Sequence, residues 1–255
     1  MMSDRSVPKP TPPGGARTRI AEPLVLLPGL MCDARLFAPQ IEALSRETSV
    51  MVAPTALGER LEETASTLLD QLPSKCALAG HGLGAMVAME ILRRAPERVT
   101  RIALISTHAL ADTPQEAAAR EPQIVGARAG RLAEVLQALV PASALAPGPQ
   151  RARLAALLAQ MGQDLGPEAL VRQARALQRR RDQQGTLRRC RVPALVLCGA
   201  QDTLMPLKRH AFMAELIPHA LLRVIEDAGH LPTLEAPEET TGALRDWLRQ
   251  PYVLR

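Results

Sequence analysis

The segment ALAGHGLGAM (Ala77–Met86) decides the fold of this chain. An apolar run typical of a buried strand leads into it, and an amphipathic helix pattern begins at once after its glycines. A Gly-x-x-x-Gly frame of this kind predicts a sharp strand-to-helix turn, which in enzymes presents a side-chain oxygen above a parallel sheet. The presenting position in this frame is Gly82, which has no side chain. Whether this turn can present a nucleophile therefore depends on one missing hydroxyl.

Short apolar strands alternate with helical patterns along the rest of the chain. This alternation implies a mostly parallel sheet with helices on both faces and right-handed crossovers, that is, an α/β fold. The predicted strands are Pro23–Leu27, Ser49–Ala53, Lys75–Ala79, Arg101–Ser106, Pro193–Cys198 and Leu221–Ile225. The predicted helices are Leu36–Ser45, Leu57–Leu72, Leu83–Ala95 and Pro237–Leu248.

The domain organisation follows from length and composition. The chain has 255 residues, of which 47% are hydrophobic, and that is enough to bury one full core. Residues 1–20 are rich in Pro, Gly, Ser and Arg, so they predict a flexible N-terminal tail before a single domain over residues 21–255. The stretch from about 112 to 189 has helical periodicity only. It predicts a helical cap inserted between strands; a helical appendage without a binding role is the alternative.

Charge and composition limit the classes of partner that the protein is expected to bind. The formal net charge is +5, and the arginines concentrate between Arg120 and Arg191. Only 2% of residues are aromatic, so there is no basic surface interleaved with stacking rings, and we expect no nucleic-acid partner. A solvated helical face explains the arginines. No apolar run approaches the ~20 residues of a membrane span, so we expect no membrane partner either.

The four cysteines are scattered and form no C-x-x-C pair. With no clustered histidines, the sequence predicts neither a metal site nor a redox motif. Reduced thiols and the absence of a signal-peptide pattern predict a cytoplasmic protein. The sequence carries no signal for an oligomeric state.

Two polar residues follow the last two predicted strands. Asp202 lies in the turn after Pro193–Cys198, and His230 lies in the loop after Leu221–Ile225. The carboxyl ends of parallel strands share one edge of the sheet, so the two side chains can meet there. A carboxylate beside an imidazole fixes the tautomer of the ring and stabilises its cation, as in a catalytic triad. The chain order of turn, acid and histidine is the one that accompanies G-x-S-x-G turns.

Five blocks of sequence together resemble a known family. They are LLPGLMCDARLFAPQ (Leu26–Gln40), AGHGLGAMVAMEI (Ala79–Ile91), LISTHALADTPQ (Leu104–Gln115), VLCGAQDTLMP (Val196–Pro206) and EDAGHLPTLEAPE (Glu226–Glu238). The chain resembles the α/β-hydrolase superfamily, and within it the small capped esterase-like branch that includes pimeloyl-ester esterases and oxoadipate enol-lactonases. The resemblance spans nearly the whole chain after the tail.

This resemblance implies a cofactor-free hydrolase that acts on a small-molecule acyl ester or thioester. It implies that Asp202 and His230 are the acid and base, and that the backbone N–H groups of Leu30 and Leu83 form the oxyanion hole. Gly82 departs from the family pattern, which has serine as the nucleophile at that position. Both oxyanion donors are main-chain groups, so the loss of serine leaves them in place.

Three explanations of Gly82 stay open at this point. The chain is a hydrolase variant whose nucleophile has been removed by substitution, which traps substrate; or it is a natural pseudoenzyme that binds a ligand or partner. In the third explanation, the pair of His230 and Asp202 acts as a general base on water or on an acidic substrate proton. In triad enzymes, loss of the nucleophile costs on the order of 10⁶ in turnover, so activity by the covalent route is severely impaired.

Further residues are candidates for the pocket. His81 and Met31 adjoin the two turns, His108 follows the fourth strand, and Gln173 and Arg180 lie in the predicted cap, where arginine suits a carboxylate group of a substrate. The alternative for each is packing or a solvated face. Asp112 is a candidate for an alternative acid, and Cys32 for a replacement nucleophile, a role that requires an electropositive, exposed thiol.

Overall fold

Six parallel strands form the centre of the computed structural model, which describes residues 20 and 22–252. The α/β fold and all six predicted strands are confirmed, with ends that differ by up to two residues. The strands are β1 (Leu24–Leu27), β2 (Val50–Val52), β3 (Cys76–His81), β4 (Val99–Ile105), β5 (Ala194–Gly199) and β6 (Leu221–Ile225). The predicted tail at 1–20 lies outside the described residues except for Ile20, which is buried in the core.

The helices follow the strands in the expected alternation. They are α1 (Ala38–Leu44), α2 (Leu61–Leu69), α3 (Leu83–Arg94), α4 (Pro114–Ala119), α5 (Glu121–Arg128), α6 (Leu132–Leu139), α7 (Arg151–Leu165), α8 (Pro167–Gln178), α9 (Gln184–Arg188), α10 (Leu207–Leu216), α11 (Pro232–Glu235) and α12 (Pro237–Leu248). The predicted helix Pro237–Leu248 coincides with α12. The predicted helix Leu57–Leu72 is shorter at both ends in α2. The sequence prediction did not include α10, which connects β5 to β6.

The order of the strands determines where a crevice forms at the edge of the sheet. The sheet runs β2-β1-β3-β4-β5-β6, and each neighbouring pair is parallel. After β1 the chain moves to one edge of the sheet, and after β3 it moves to the other. A reversal of this kind opens a crevice beyond the carboxyl ends of the two adjacent strands. The turns that follow β1 and β3 therefore meet in that crevice.

Successive side chains along each strand point to opposite faces of the sheet, so a hydrophobic core lies on each face. Val25, Leu27 and Leu78 face a layer that contains α2 and α3, whereas Leu24 and Leu26 face the other side of the sheet. On that second side the fully buried Trp247 and Phe37 belong to the core. A parallel sheet with helices on both faces buries both sides of its strands, which explains why the strands are apolar throughout.

Helices α4 to α9 lie between β4 and β5; we call them the inserted helices. Their apolar residues form a third cluster that includes Ile124, Leu136 and Leu170, and Met31 from the turn after β1 packs in the same cluster. The inserted helices are therefore fixed to the carboxyl edge of the sheet through that turn.

Among the described residues, no helix is long and apolar enough to cross a membrane. In the same part of the chain, no group of three or more His, Cys, Asp or Glu side chains is arranged to hold a metal ion. The four cysteines are free and buried.

Candidate active site

The turn between β3 and α3 holds Gly82 in an unusual backbone conformation. Its φ is 52° and its ψ is −115°, a region that is costly for residues with a side chain. A Cβ at Gly84 would collide with the backbone of Leu27, so only glycine allows α3 to approach β1 this closely. At Gly82, by contrast, the nearest neighbours of a Cβ would be Gly29 Cα and Ser106 O, both at 3.9 Å. The turn thus has the space for a side chain at Gly82, at the cost of backbone strain.

Asp202 and His230 meet at the same edge of the sheet. His230 Nδ1 lies 2.9 Å from Asp202 Oδ2, and the Asp202 side chain is fully buried. The other carboxylate oxygen, Oδ1, accepts the backbone N–H groups of Leu204 and Met205, each at 2.9 Å. The carboxylate is thereby fixed from both sides. With Nδ1–H donated to Asp202, Nε2 of His230 carries the lone pair of a general base.

The electrostatics of Asp202 favour its ionised form. Burial acts to raise the pKa of this carboxyl, but the hydrogen bond and charge of His230 and the two backbone N–H groups outweigh it, and the net shift is downward. Asp202 is therefore a carboxylate at neutral pH and stabilises positive charge on the imidazole of His230.

Two backbone N–H groups point to an oxyanion site. Within the described part of the chain, neither Leu30 N–H nor Leu83 N–H donates a hydrogen bond. Leu83 is the first residue of α3, where helix N–H groups lack intrahelical partners and the helix dipole favours negative charge. The two donors lie in the turns after β1 and β3, which line one cavity.

Gln173 of α8 holds the turn after β1. Its Oε1 accepts Met31 N–H at 2.9 Å, and its Nε2 donates to Thr55 Oγ1 at 3.1 Å. Thr55 Oγ1 in turn donates to Pro28 O at 3.2 Å. Met31 has a positive φ of 53°. The turn is held in this conformation by the buried side chain of Gln173, which belongs to the inserted helices. This role was not predicted from the sequence.

His81 makes a hydrogen bond and a ring contact with His230. Its Nε2–H donates to His230 O at 2.7 Å, and the two rings meet edge to face with centroids 5.0 Å apart. Burial, with the neighbouring His230, lowers the pKa of His81 to about 3. A neutral His81 therefore donates one hydrogen bond to the backbone of His230, and its Nδ1 is buried without a hydrogen-bond partner among the described residues.

A cavity of about 340 Å³ connects these parts. From the sheet and the turns and helices that adjoin its other strands it is lined by Leu30, Cys32, His81, Gly82, Leu83, Met86, Leu204, Met205, His230 and Leu231. From the segment between β4 and β5 it is lined by His108, Arg120, Gln123, Ala138, Leu139, Val140, Leu158 and Leu177. We call these two sets the sheet side and the helical side. Another cavity, of about 450 Å³, lies around the segment before β5 and contains none of the predicted site residues.

The structure separates the predicted pocket residues into two groups. His81 and His108 line the cavity, whereas Met31, Gln173 and Arg180 are not among its lining residues. Arg180 is buried, donates to Leu110 O at 3.0 Å and pairs with Asp112. The polar atoms of Gln173 and Arg180 are thus engaged within the protein.

Asp112 was the candidate for an alternative acid and Cys32 the candidate for a replacement nucleophile, and in the described part of the chain neither forms a hydrogen bond with His230. Asp112 contacts arginines, whereas Asp202 is the carboxylate that contacts His230. Cys32 lines the cavity, but burial, with the charge of Asp33, raises the pKa of its thiol to about 12. A thiol of that pKa is protonated at neutral pH and is a poor nucleophile.

Arg120 and Gln123 line the cavity and were not singled out from the sequence. The signal that could have found them is their spacing of three residues at the start of α5, which places both side chains on one face of the helix.

A family model described as alpha/beta hydrolase fold matches residues 59–237 of the chain. The pimeloyl-[acyl-carrier protein] methyl ester esterase of Aromatoleum aromaticum is 32% identical over 206 residues, which is 76% of this chain and 82% of that protein. A putative carbamate hydrolase of Pseudomonas savastanoi is 30% identical over 245 residues, or 88% of this chain and 93% of that protein.

Among solved structures, a thermophilic esterase from Thermogutta terrifontis superposes with a TM-score of 0.82 at 27% sequence identity. The match covers 91% of this chain and 91% of the esterase. The likeness therefore extends over the sheet, the inserted helices and the turns that surround the cavity.

Proposed function

Because the chain belongs to the alpha/beta hydrolase fold family, we propose that its cavity binds a carboxylic ester or thioester and that covalent hydrolysis is interrupted at Gly82. One observation carries the proposal. The acid and base are paired at 2.9 Å beside two free main-chain donors, while the turn that should present the nucleophile has no side chain. These contacts support an ester-binding site that lacks only its nucleophile.

The binding mode follows from the donors. The carbonyl oxygen of the ester accepts the N–H groups of Leu30 and Leu83, which polarise the carbonyl and favour the developing oxyanion. The acyl chain extends among the apolar residues of the helical side. One relative supports an acyl ester in this place, since it is named for a methyl ester.

The missing step is the attack on the carbonyl carbon. In a serine hydrolase the hydroxyl oxygen bonds to this carbon while histidine takes its proton, and an acyl-enzyme forms as the alcohol leaves. Gly82 supplies no oxygen, so this route is closed. Oxyanion binding and positioning alone leave on the order of 10³ to 10⁴ over the reaction in water.

The test is to restore the hydroxyl. We expect Gly82→Ser to raise the hydrolysis of short p-nitrophenyl esters by about 10³-fold or more, since loss of a triad nucleophile costs about 10⁶. His230→Ala in the same protein should abolish the gain. A serine-directed phosphonate should label Gly82→Ser and not the unsubstituted chain. Gly242→Ser is the matched control, because a Cβ there meets nothing within 4 Å and the residue lies on α12 away from the cavity.

A folded Gly82→Ser protein that stays inert across acyl lengths, with the phosphonate unreacted, would overturn the proposal. The site would then belong to a pseudoenzyme in which Asp202 and His230 serve packing or ligand binding.

One observation favours a second candidate. A Cβ at Gly82 would have its nearest neighbours 3.9 Å away, which leaves room for a water oxygen in the cavity that His230 also lines. In this candidate His230 removes a proton from that water, whose oxygen attacks the carbonyl without an acyl-enzyme. Activity of the unsubstituted chain that ignores phosphonates and disappears in His230→Ala would support it. No such activity on any ester would exclude it.

A further inference from the structure

The end of β4 holds both polar backbone groups of Gly82. Gly82 N–H donates to Ile105 O at 2.9 Å, and Gly82 O accepts the hydroxyl of Thr107 at 2.9 Å. The same carbonyl accepts Met86 N–H of α3 at 3.2 Å. The φ and ψ of Gly82 lie in a costly region, which persists only where surrounding contacts maintain it. Thr107 is the side chain that provides such a contact to the carbonyl.

The peptide bond after Gly82 links this carbonyl to one of the two oxyanion donors. Gly82 C=O and Leu83 N–H belong to one planar trans peptide unit, so they point in opposite directions and rotate together. A hydrogen bond that fixes the carbonyl oxygen therefore also fixes the direction of Leu83 N–H. Donation to the carbonyl polarises the unit and makes its N–H a stronger donor. Thr107 thus acts on Leu83 N–H from the far side of the peptide unit.

Thr107 is fully buried, and its own backbone is held in place. Its N–H donates at 3.1 Å to Nε2 of His210, a fully buried ring on α10. Nδ1–H of this ring donates to Pro206 O at 3.4 Å. Burial lowers the pKa of His210 to about 4, so at neutral pH the ring is uncharged. Nε2 therefore keeps the lone pair that accepts Thr107 N–H.

The residue before Thr107 has a strained backbone. Ser106 is fully buried and has a positive φ of 45°, which is uncommon for a residue with a side chain. Its N–H donates to Leu197 O of β5 at 2.9 Å, and its Oγ is buried without a hydrogen-bond partner among the described residues. Strain and an unpaired hydroxyl are both costly. They coincide where β4 ends and the chain brings Thr107 against the turn at Gly82.

We propose that Thr107 is a positioning residue for the oxyanion site: its hydroxyl orients and polarises the peptide unit that carries Leu83 N–H. The hydrogen bonds run from His210 through Thr107 to Gly82 O, and Leu83 N–H faces the carbonyl oxygen of the bound ester. Thr107 is not among the residues that line the cavity, so it acts through the peptide unit and not on the ligand. This inference rests on the proposed function, because it assigns Thr107 to the support of one of the same two donors.

Substitutions of Thr107 in the Gly82→Ser protein test the hydroxyl. Thr107→Val and Thr107→Ala remove the donor, whereas Thr107→Ser keeps it. We expect each of the first two to lower kcat for p-nitrophenyl esters by about 30-fold with KM within about twofold, because Leu83 N–H acts mainly on the developing oxyanion. Complete loss of an oxyanion donor costs about 10²- to 10³-fold. Thr107→Ser should retain kcat within about threefold.

A spectroscopic measurement on the unsubstituted chain does not depend on turnover. NMR compares the carbonyl ¹³C shift of Gly82 and the amide ¹⁵N shift of Leu83 before and after substitution of Thr107. A hydrogen bond to a carbonyl oxygen polarises the peptide unit and deshields both nuclei. Both resonances should therefore move upfield in Thr107→Val and stay in place in Thr107→Ser.

Thr48→Val is the matched control. Thr48 is also buried, and its Oγ1 donates to a carbonyl, Glu22 O, at 2.6 Å. It lies before β2 and outside the cavity. Thr48→Val should leave kcat, KM and both resonances unchanged. Urea unfolding of all the variants measures the loss of stability that follows removal of any buried hydroxyl.

The possible failures are distinguishable. If the two resonances do not move in Thr107→Val, the hydroxyl does not polarise the peptide unit and the proposal is overturned. If they move while kcat is unchanged, or if KM rises at constant kcat, Thr107 does not serve the oxyanion site and the positioning role is also overturned. If Gly82→Ser is inert while the resonances move as expected, the proposed function fails and the link from Thr107 to Leu83 N–H stands.

Discussion

The two sides of the cavity are built from different kinds of groups. On the sheet side, the polar groups to which the proposed function assigns roles are two main-chain N–H groups and the hydrogen-bonded pair of Asp202 and His230, all in turns or loops that follow strands. On the helical side, the polar groups are long side chains, and Asp112 joins Arg120 to Arg180 across the inserted helices. The geometry of the sheet side is thus fixed by local turns, whereas the geometry of the helical side depends on contacts between distant segments.

Two buried aspartates give the sharpest test of this difference. In the Gly82→Ser protein, Asp202→Asn should lower kcat by about 10⁴-fold, because the amide NH₂ facing His230 Nδ1 imposes the wrong tautomer. The two backbone N–H groups that Asp202 accepts can still be accepted by asparagine, so the fold should persist. Ester kinetics and urea unfolding measure the two effects.

Asp112→Asn is the matched comparison on the helical side. It leaves Arg120 and the buried Arg180 without a carboxylate, and we expect the free energy of unfolding to fall by about 3–5 kcal/mol. The kcat of the molecules that remain folded should change far less than in Asp202→Asn. Equal losses of kcat in the two variants would show that the two sides do not act separately.

The difference between the sheet side and the helical side also explains which features could be predicted from the sequence. All six strands, the turn at Gly82 and the positions of Asp202 and His230 follow from short local patterns, and the parallel sheet brings the strand ends together. β3 extends to His81, beyond its predicted end, because pairing with β4 continues to Ile105. Local patterns were sufficient wherever the sheet itself decides the geometry.

The helical side could not be predicted in the same way. The stretch from 112 to 189 gives only helical periodicity, and nothing local distinguishes Arg180, which is buried against Asp112, from Arg120, which lines the cavity. Gln173 was a candidate for the pocket, with packing or a solvated face as the alternative, and in the structure its amide holds the turn after β1. These roles depend on how α5 and α8 pack, which is a property of the assembled tertiary structure.

Buried neutral histidines on both sides make stability depend on pH. Burial lowers the pKa of His81 and of His108 to about 3, and that of His210 to about 4, from 6.5. A lowered histidine pKa means that the unfolded chain binds more protons, so stability is complete above about pH 6.5 and falls as pH decreases toward 4. One to three protons correspond to about 1 to 4 kcal/mol per pH unit.

Urea unfolding between pH 7 and 4.5 measures this slope. His108→Gln on the helical side should reduce it by about one proton, and His81→Gln on the sheet side should do the same. A slope below one proton in the unsubstituted chain would contradict the burial of these rings in the neutral form.

Gln173 connects the two sides of the cavity. Of the substitutions proposed here to lower kcat, its replacement should have the smallest effect. In the Gly82→Ser protein, Gln173→Leu frees Met31 N–H and Thr55 Oγ1, so the turn that carries Leu30 N–H loses its support from α8. The donor matters most when the oxyanion forms, so we expect kcat to fall by about tenfold with KM within about twofold. Steady-state kinetics on one neutral ester separates the two constants.

Gln178→Leu is the control for this experiment, since Gln178 lies on the same helix but bonds to Ala117 O and Glu121. It should leave both constants unchanged. A rise in KM with constant kcat in Gln173→Leu would mean that α8 contributes to binding of the ground state alone. The inserted helices would then choose the ligand without influencing the chemistry, and the division between the two sides would be complete. A fall in kcat would instead make Gln173 a positioning residue through which the helical side supports the oxyanion site.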